Sequence, residues 1–322
     1  MYRRILVPLD GTRFGEHALP HAIGIAVRTG ATIELCHVHH HREYDPDLAA
    51  MTPYQFQHID QADVDWEERE REKQRAYLEE RAADMELRYQ VRVRTRLLDG
   101  STAEAICREA SDIVADLVVL ASHARTGLDR LRNGHLAHEL VQQLNVPALC
   151  VHPSGDEAPL VAAPPQRVLV TLDGSSFSEQ VLDAVIPLIA AIGARATLLH
   201  VVSPQRILVG SADDLQRHIP NREEALVYVR GVADSVRDRI PAPEVAAVVD
   251  SDAVTAITNV VAHGGYDMVA MATHGRGGLT RLIVGSVAEQ VLERASVPVL
   301  LYRPRLVPLP PIDLTDAFRI YG

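Results

Sequence analysis

The sequence predicts an α/β protein made of two open-sheet domains in tandem, and three observations predict this fold class. One long segment occurs twice along the chain of 322 residues. Each copy alternates apolar runs with segments of helical periodicity, which is typical of a parallel sheet flanked by helices. The length also suits two domains, because a single domain usually has about 100–200 residues.

Three matched segments define the repeat, and they occur in the same order in both copies. The first match has an offset of 163 residues and the other two have an offset of 151, so the first copy is longer by 12 residues in its middle. The matched pairs are Arg4–Thr12 with Arg167–Ser175, Ala121–Leu128 with Ala272–Leu279, and Asn145–Leu149 with Ser296–Leu300.

These matches divide the chain into four parts. Residues 1–152 form the first copy, called repeat 1, and residues 167–303 form the second, called repeat 2. Residues 153–166 between them are rich in proline, which indicates a linker. Residues 304–322 contain four more prolines and are expected to form an extended C-terminal tail.

The elements of repeat 2 follow from its pattern in chain order. Its strands are continuous apolar runs, as strands buried on both faces require. Its helices have apolar residues at helical spacing, and a glycine such as Gly193 marks a helix end. The expected elements are strand Val168–Leu172, helix Ser178–Ile192, strand Ala196–Val202, helix Arg222–Ile240, strand Val245–Val249, helix Ala253–His263, strand Met268–Ala272, helix Ser286–Arg294 and strand Val297–Tyr302.

Charge and composition exclude several classes of function. The net charge of −11 argues against nucleic acid as a partner, because duplex binding needs a basic surface. The N-terminus leads directly into a strand pattern, and no apolar run approaches the length of a membrane span. We therefore expect a cytoplasmic protein that binds neither nucleic acid nor membrane. The charge-rich segment Trp66–Tyr89 predicts a solvated helix in repeat 1.

Neither cysteines nor histidines predict a metal site. Cys36, Cys107 and Cys150 are odd in number and lack metal-ligand spacing, which also disfavours disulfides. His37 and the run His39–His41 follow an expected strand, but successive strand residues point to opposite faces. No metal ligand set is therefore expected.

A glycine-rich loop in repeat 2 carries the strongest functional signal. Gly275 and Gly277 precede Gly285 and Ser286, which open an expected helix. Glycines permit close backbone approach, and free N–H groups at a helix N-terminus favour an anion such as phosphate. The alternative is a plain turn in which Ser286 only caps the helix.

An aspartate follows the first strand of each repeat. Asp173 and Asp10 are both followed by glycine. A carboxylate at a strand end can accept hydrogen bonds from ribose hydroxyls, as in dinucleotide-binding folds. The alternative, which is compatible with the first, is an Asx turn or a helix cap.

These motifs resemble the universal stress protein family in its tandem form. The resemblance rests on Ile5–Gly11, Leu199–Val201, Thr273–Gly275 and Gly285–Ala288, and it covers nearly the whole chain except the linker and tail. It implies five parallel strands per domain, in the order 3-2-1-4-5, flanked by helices. It also implies binding of ATP, or of ADP or AMP, with Mg²⁺ as an optional companion ion.

The resemblance assigns a nucleotide site to repeat 2. It implies that Asp173 binds ribose, the backbone of Val201 binds adenine, and Gly275, Gly285 and Ser286 bind phosphates. Ala272 stands where the family has its first loop glycine. The full set implied is Thr171, Leu172, Asp173, Val201, Ala272, Thr273, His274, Gly275, Arg276, Gly277, Gly285, Ser286 and Val287.

Repeat 1 departs further from the family pattern. Ala121 and Ala124 replace two loop glycines, and a histidine follows Gly134 where the family has Ser or Thr. We expect a weakened or altered site there, and an empty structural copy is the alternative. The residues concerned are Asp10, Val38, His123, Arg125, Gly134 and His135.

Three functions remain open from the sequence. The first is a stress-response or regulatory module that binds adenine nucleotide, and the resemblance favours it. The second is a weak ATPase or phosphate-transferring enzyme with His274 as its best catalytic candidate; a Walker lysine is excluded because the only lysine is Lys73. The third is a scaffold that binds no nucleotide.

The fifth strands predict how the repeats associate. In this family such strands often pair across a dimer interface, and here Ala148–Val151 and Val299–Tyr302 are apolar. Their pairing within one chain would create a pseudo-dimer, and a homodimer of whole chains stays open.

Overall fold

The fold was analysed in a computed structural model, which describes residues 2–40, 53–122, 130–153, 164–203, 222–240, 242–273 and 285–304. Within 53–65 and 130–135 only the backbone is described. The strands are β1 Arg4–Pro8, β2 Thr32–His39, β3 Arg92–Asp99, β4 Leu117–Ala121, β5 Ala148–Val151, β6 Arg167–Leu172, β7 Arg195–Val202, β8 Glu244–Val249, β9 Met268–Ala272 and β10 Val299–Tyr302. The helices are α1 Ala18–Thr29, α2 Pro53–Tyr89, α3 Thr102–Asp112, α4 Arg130–Gln143, α5 Ser176–Glu179, α6 Val181–Ile192, α7 Arg222–Ser235, α8 Ala253–Gly264 and α9 Ser286–Arg294.

The described strands form a single sheet of ten, in the order β3-β2-β1-β4-β5-β10-β9-β6-β7-β8. Within each repeat the strands are parallel and follow the order 3-2-1-4-5, which confirms the predicted fold class. The repeats join where β5 and β10 pair antiparallel, which confirms the predicted pairing of the fifth strands.

A pseudo-twofold axis passes through this junction. Leu149 pairs with Leu300, and these residues are equivalent at the offset of 151. The equivalent helices α1 and α6 also contact each other. The phenol of Tyr2 in repeat 1 donates to the Ala184 carbonyl of α6 at 2.7 Å. The chain is therefore its own pseudo-dimer.

Two apolar layers cover the two faces of the sheet. Alternate strand residues face opposite sides, so Ile5 and Val7 enter one layer and Leu6 enters the other. Helices α1, α2, α6 and α7 contribute to the first layer and α3, α4, α8 and α9 to the second. Each layer draws on both repeats, so burial of apolar surface joins the repeats as well as folding each one.

Three predicted elements of repeat 2 differ from the structure. The helix predicted over Ser178–Ile192 is divided at Gln180 into α5 and α6. Helix α7 ends at Ser235, because the backbone N–H of Val236 bonds three residues back to Ala233 instead of four. Strand β10 begins only after Pro298, which has no N–H to pair.

The three cysteines are unbonded thiols, and Cys36 and Cys150 are completely buried. Burial raises the pKa of Cys150 to about 12, so its thiol stays neutral. In the residues that the structure describes, no helix has the length and apolar character needed to cross a bilayer.

Candidate functional site

The predicted site residues of repeat 2 lie at the carboxyl ends of neighbouring strands. Strand β6 lies between β7 and β9, with Leu172 paired with His200 and Val170 with Ala270. Because the three strands are parallel, Asp173, Val201 and Thr273 lie at the same edge of the sheet, with Asp173 next in register to Val201. Thr171, Leu172 and Thr273 are buried, whereas Asp173, Val201 and Ala272 are half-buried.

Asp173 shapes the turn that follows β6. Its Oδ1 accepts hydrogen bonds from the backbone N–H and the hydroxyl of Ser175 at 3.0 and 2.6 Å. Gly174 between them has a φ of 86°, which glycine adopts without strain. Asp10 has the same bonds to Thr12 at 2.9 and 2.6 Å. The Asx-turn interpretation is therefore confirmed in both repeats, and ribose binding by Asp173 stays a prediction.

A histidine supports each of these turns. His200 Nδ1 lies 2.7 Å from the Leu172 carbonyl, and His37 Nδ1 lies 2.8 Å from the Leu9 carbonyl. A carbonyl oxygen only accepts, so Nδ1 carries the proton and a neutral ring presents Nε2 as an acceptor. Burial lowers the pKa of His37, which keeps that ring neutral near pH 7. The resemblance included His200 without assigning it a role, and its match to His37 at an offset of 163 was the signal that sequence reasoning missed.

A tyrosine–glutamate pair also occurs in both repeats beside the turn. Tyr228 donates to Glu179 Oε1 at 2.8 Å, and Tyr77 donates to Glu16 Oε1 at 2.9 Å. The His200 ring meets the Tyr228 ring edge-on, with centroids 5.2 Å apart. These contacts connect α7 to α5 and β7 in repeat 2. Sequence analysis gave the four residues of the two pairs no role, although both pairs are equivalent in the repeat.

Gly285 joins the two ends of the segment that was predicted to bind phosphate. Its N–H donates to the Thr273 carbonyl at 2.6 Å. A Cβ at this position would lie 2.7 Å from the same oxygen, so only glycine fits. The prediction that the Gly285 N–H is free was wrong, because the Thr273 carbonyl already occupies it. The close contact between Gly285 and Thr273 therefore requires a residue without a side chain at position 285.

Among the described residues, the donors of this helix without a partner begin one residue later. Gly285 is the N-cap of α9, and the first intrahelical bond runs from Glu289 N–H to the Gly285 carbonyl at 3.0 Å. The amides of Ser286 and Val287 belong to the first turn and have no partner among the described residues. The alternative that Ser286 caps the helix was wrong, since it is the first helical residue. The dipole of α9 favours an anion here.

Several predicted residues cannot be placed. His274, Gly275, Arg276 and Gly277 lie outside the described residues. The same is true of His123 and Arg125 in repeat 1. The predicted catalytic candidate His274 and the glycine-rich part of the loop therefore stay predictions.

Repeat 1 has a cleft at the corresponding edge of the sheet. It encloses about 470 Å³, and both Asp10 and Val38 line it, while nucleotide binding there stays a prediction. His37 and His40 also line it, and His40 Nε2 lies 3.2 Å from the Thr102 hydroxyl at the start of α3. Glu139 of α4 places a carboxyl group at the same cleft.

The helix that borders this cleft begins differently from its counterpart. Helix α4 starts at Arg130, so Gly134 and His135 lie in its second turn. Their N–H groups come after the unpaired ones of the first turn. In repeat 2 the equivalent residues Gly285 and Ser286 are the cap and first residue of α9. The phosphate-binding geometry predicted for repeat 2 is therefore not repeated at Gly134 and His135.

The histidines at the end of β2 contact different partners. His39 is buried, with Nε2 at 2.8 Å from Glu67 and Nδ1 at 2.8 Å from Gln74, both on α2. His37 contacts Leu9, and His41 lies outside the described residues. The part of the chain that the structure describes contains no group of three or more metal-ligating side chains.

The comparisons with known proteins agree with this architecture. The model of the universal stress protein family matches residues 1–152 and again residues 165–303. A universal stress protein of Mycobacterium tuberculosis is 30% identical over 189 residues, which cover 59% of this chain and 62% of the relative. The match thus spans less than two thirds of that relative. A universal stress protein of Methanocaldococcus jannaschii is 25% identical over 47% of this chain and 82% of its own length.

A solved structure extends the likeness over the entire fold. The universal stress protein of Archaeoglobus fulgidus superposes with a TM-score of 0.65 at 17% identity, covering 93% of this chain and 98% of that chain. At this identity the likeness concerns the fold alone. Since one family model matches both repeats, the chain belongs to the universal stress protein family and carries two of its domains in tandem.

Proposed function

We propose that this chain binds an adenine nucleotide, ATP or one of its hydrolysis products, and that the main site lies in repeat 2. Binding would serve a regulatory module of the stress response in the cytoplasm, as membership of the family suggests. Mg²⁺ would accompany the phosphates.

The start of α9 is the observation that carries this proposal. Its Ser286 and Val287 amides, which have no partner among the described residues, stand next to the Gly285–Thr273 contact, and Thr273 directly follows β9, the strand that pairs with β6. The ribose-binding and phosphate-binding candidates thus share one edge of the sheet, at the ends of strands where open α/β sheets bind ligands. In repeat 1 the equivalent amides lie inside α4.

Each group has a definite role in the proposed site. The Asp173 carboxylate already accepts from Ser175 through Oδ1, which fixes its orientation toward the edge. A ribose hydroxyl would donate to this carboxylate. The amides of Ser286 and Val287 would donate to phosphate oxygens, with the helix dipole adding to the attraction. The backbone of Val201, at the end of β7, would contact the adenine.

Isothermal titration with ATP tests the proposal through a matched pair of variants. Asp173→Asn keeps an oxygen that can accept from Ser175 but removes the charge, so we expect ATP affinity to fall about tenfold. Asp10→Asn makes the same change in repeat 1 and should leave the main site unchanged. Absence of ATP binding by the wild type would refute the function, and equal losses in both variants would refute the location.

A further inference from the structure

A second cleft lies at the amino ends of the strands of repeat 1. It is formed by repeat 1 alone and has a volume of about 350 Å³. Arg3, Arg4, Arg92 and Arg94 line it, together with Thr32. We call it the arginine cleft. Such a concentration of positive charge is unexpected in a chain of net charge −11.

The strand register explains why these side chains meet. Arg4 of β1 pairs with Thr32 of β2, and Thr32 pairs with Arg92 of β3. Paired residues of parallel strands point to the same face, and Arg94 follows two residues after Arg92 on that face. The Cα atoms of Arg4 and Arg92 are therefore two strand spacings apart, roughly 10 Å.

Much of the donor capacity of the arginine cleft is unused. Arg4 donates to the Ile113 carbonyl, and Arg92 Nη2 donates to the Gly30 carbonyl at 2.8 Å. Arg94 Nη1 is 3.7 Å from Glu34, beyond hydrogen-bond length. Among the described residues, the Arg3 guanidinium has no recorded partner. Each guanidinium carries five N–H donors, so most of them remain available.

The nearest carboxylate that could neutralise Arg3 and Arg4 is already engaged. Asp116 Oδ2 accepts from the backbone N–H groups of Arg3 and Arg4 at 2.6 and 2.9 Å. Glu34 is buried and faces only the Arg94 side of the cleft. With Glu86, which accepts from the Val93 N–H at 3.2 Å, three carboxylates therefore stand near four guanidiniums.

Comparison with repeat 2 shows which contacts of the arginine cleft belong to the fold that the two repeats share. Asp267 accepts from the N–H groups of Gln166 and Arg167, and Arg167 donates to the Gly264 carbonyl, as Asp116 and Arg4 do in repeat 1. There the similarity ends. Gln166 replaces Arg3, and the residue that pairs with Thr197, the equivalent of Glu34, is Glu244 rather than an arginine.

Repeat 2 consequently has fewer arginines at this place than repeat 1. Glu244 Oε2 lies 4.0 Å from Arg167 Nη2, and the Tyr266 ring covers the same guanidinium at 4.8 Å. Repeat 2 thus has two arginines at this place, Arg167 and its strand partner Arg195, and Arg167 is the one that Glu244 and Tyr266 contact. Repeat 2 keeps counterparts of Arg4 and Asp116, whereas Arg3, Arg92 and Arg94 have no arginine counterparts there, so the shared fold does not account for these three.

We propose that the arginine cleft is an anion-binding site for a small oligophosphate. Guanidinium groups bind phosphoryl oxygens through paired N–H donors, which makes arginine the preferred residue for such anions. Positive groups spread over about 10 Å suit an anion with more than one phosphoryl group. The volume of about 350 Å³ also exceeds what a single oxyanion needs.

Titration with inorganic pyrophosphate tests this site in the full-length protein. Arg92→Gln combined with Arg94→Gln should weaken pyrophosphate binding at least about tenfold, because charge-assisted hydrogen bonds are lost. The matched control is Arg237→Gln combined with Arg239→Gln, which removes two exposed arginines of repeat 2 and should have no effect. Unchanged binding in the first variant, or an equal loss in the control, would overturn the proposal.

A second variant guards against an effect on folding. Arg3→Gln changes a residue before β1 and keeps the N–H that bonds to Asp116, so the strands stay intact. It should also weaken pyrophosphate binding, and normal binding here would count against the proposal.

Competition against bound pyrophosphate then identifies the kind of molecule that supplies the phosphates. Displacement of pyrophosphate by ATP but not by adenosine indicates a nucleotide, and failure of ATP to displace it indicates a free oligophosphate.

Ligand binding at the arginine cleft and at the nucleotide site can be tested independently. Asp173→Asn should leave pyrophosphate binding at the arginine cleft unchanged, since four strands of the sheet separate β1 of that cleft from β6 of the nucleotide site. Loss of both ligands in either variant would show that the two clefts are not separate sites.

Discussion

Replacing Gly285 by alanine should destabilise repeat 2 for a steric reason alone. The backbone there has φ −58° and ψ 141°, values that any residue adopts. The added Cβ, however, would lie 2.7 Å from the Thr273 carbonyl oxygen, whereas ordinary contacts begin at 3.4 Å. The backbone must therefore open by roughly 0.7 Å or the contact must break.

The cost follows from two terms. Opening by this amount lengthens the Gly285–Thr273 hydrogen bond from 2.6 Å to the limit of a useful bond. Losing such a bond costs about 1 kcal/mol. Relieving the overpacked contact costs about 1–3 kcal/mol more. We expect the free energy of unfolding to fall by about 2–4 kcal/mol, and ATP affinity to fall with it.

Gly231 supplies the matched control for this substitution. It is exposed within α7, and a Cβ there would meet nothing within 4 Å. Gly231→Ala should stabilise the protein by about 0.5–1 kcal/mol, because alanine favours the helix. Urea unfolding followed by circular dichroism measures both variants. If Gly285→Ala were as stable as the wild type while Gly231→Ala showed its gain, the steric argument would be refuted.

Two further predictions concern titration and buried hydrogen bonds. Burial and the neighbouring His17 lower the pKa of His21 to about 4, below its ordinary value of 6.5, so the unfolded chain binds this proton more readily. The contribution of the neutral His21 ring to stability is therefore present above pH 6.5 and is lost as the pH falls toward 4. The variant His21→Ala, which introduces the residue found at the equivalent position of repeat 2, should lose less of its urea unfolding midpoint over that pH window than the wild type. An identical loss in the two proteins would contradict the assignment. Tyr228→Phe should cost about 1–3 kcal/mol, because it removes the donor to Glu179. Tyr77→Phe should cost less stability in the same thermal-melting assay, because Glu16 keeps a second partner, Arg81, whose Nη1 lies 3.9 Å away. In repeat 2 the position equivalent to Arg81 is Val232, so Glu179 has no such partner at that position. A larger loss for Tyr77→Phe than for Tyr228→Phe would show that Arg81 does not compensate for the lost hydrogen bond.

The sequence predicted the fold well because the signals it used are repeated and strongly periodic. Continuous apolar runs located the strands of repeat 2 to within a residue or two, and the Asp–Gly dipeptides located both turns. Contacts between residues far apart in the sequence were harder to predict. The bond from Gly285 to Thr273 and the rings of His200 and Tyr228 depend on how elements pack, which no local pattern encodes.

The start of a helix was the least predictable feature of the candidate site. Gly134 and Gly285 occupy the same place in the repeat, yet one lies inside α4 and the other caps α9. Sequence analysis expected the repeat 1 site to be weakened by the loss of glycines and of a hydroxyl. The structure adds a different reason, because the backbone amides themselves are used within α4.

Fusion of two domains into one chain permits contacts that a homodimer cannot make. His138 and Glu289 are equivalent residues, and they face each other across the pseudo-twofold axis with Nδ1 and Oε1 3.8 Å apart. If two copies of repeat 1 paired in the same way, two histidines would meet at this point, and two copies of repeat 2 would bring two carboxylates together. The observed pair attracts whenever His138 is protonated, whereas two carboxylates repel at neutral pH. The contact therefore favours pairing of unlike repeats, which the single chain supplies at high effective concentration. Once pairing of unlike repeats is secured, the two domains are free to diverge, and the intact start of α9 and the arginine cleft of repeat 1 are where they have done so.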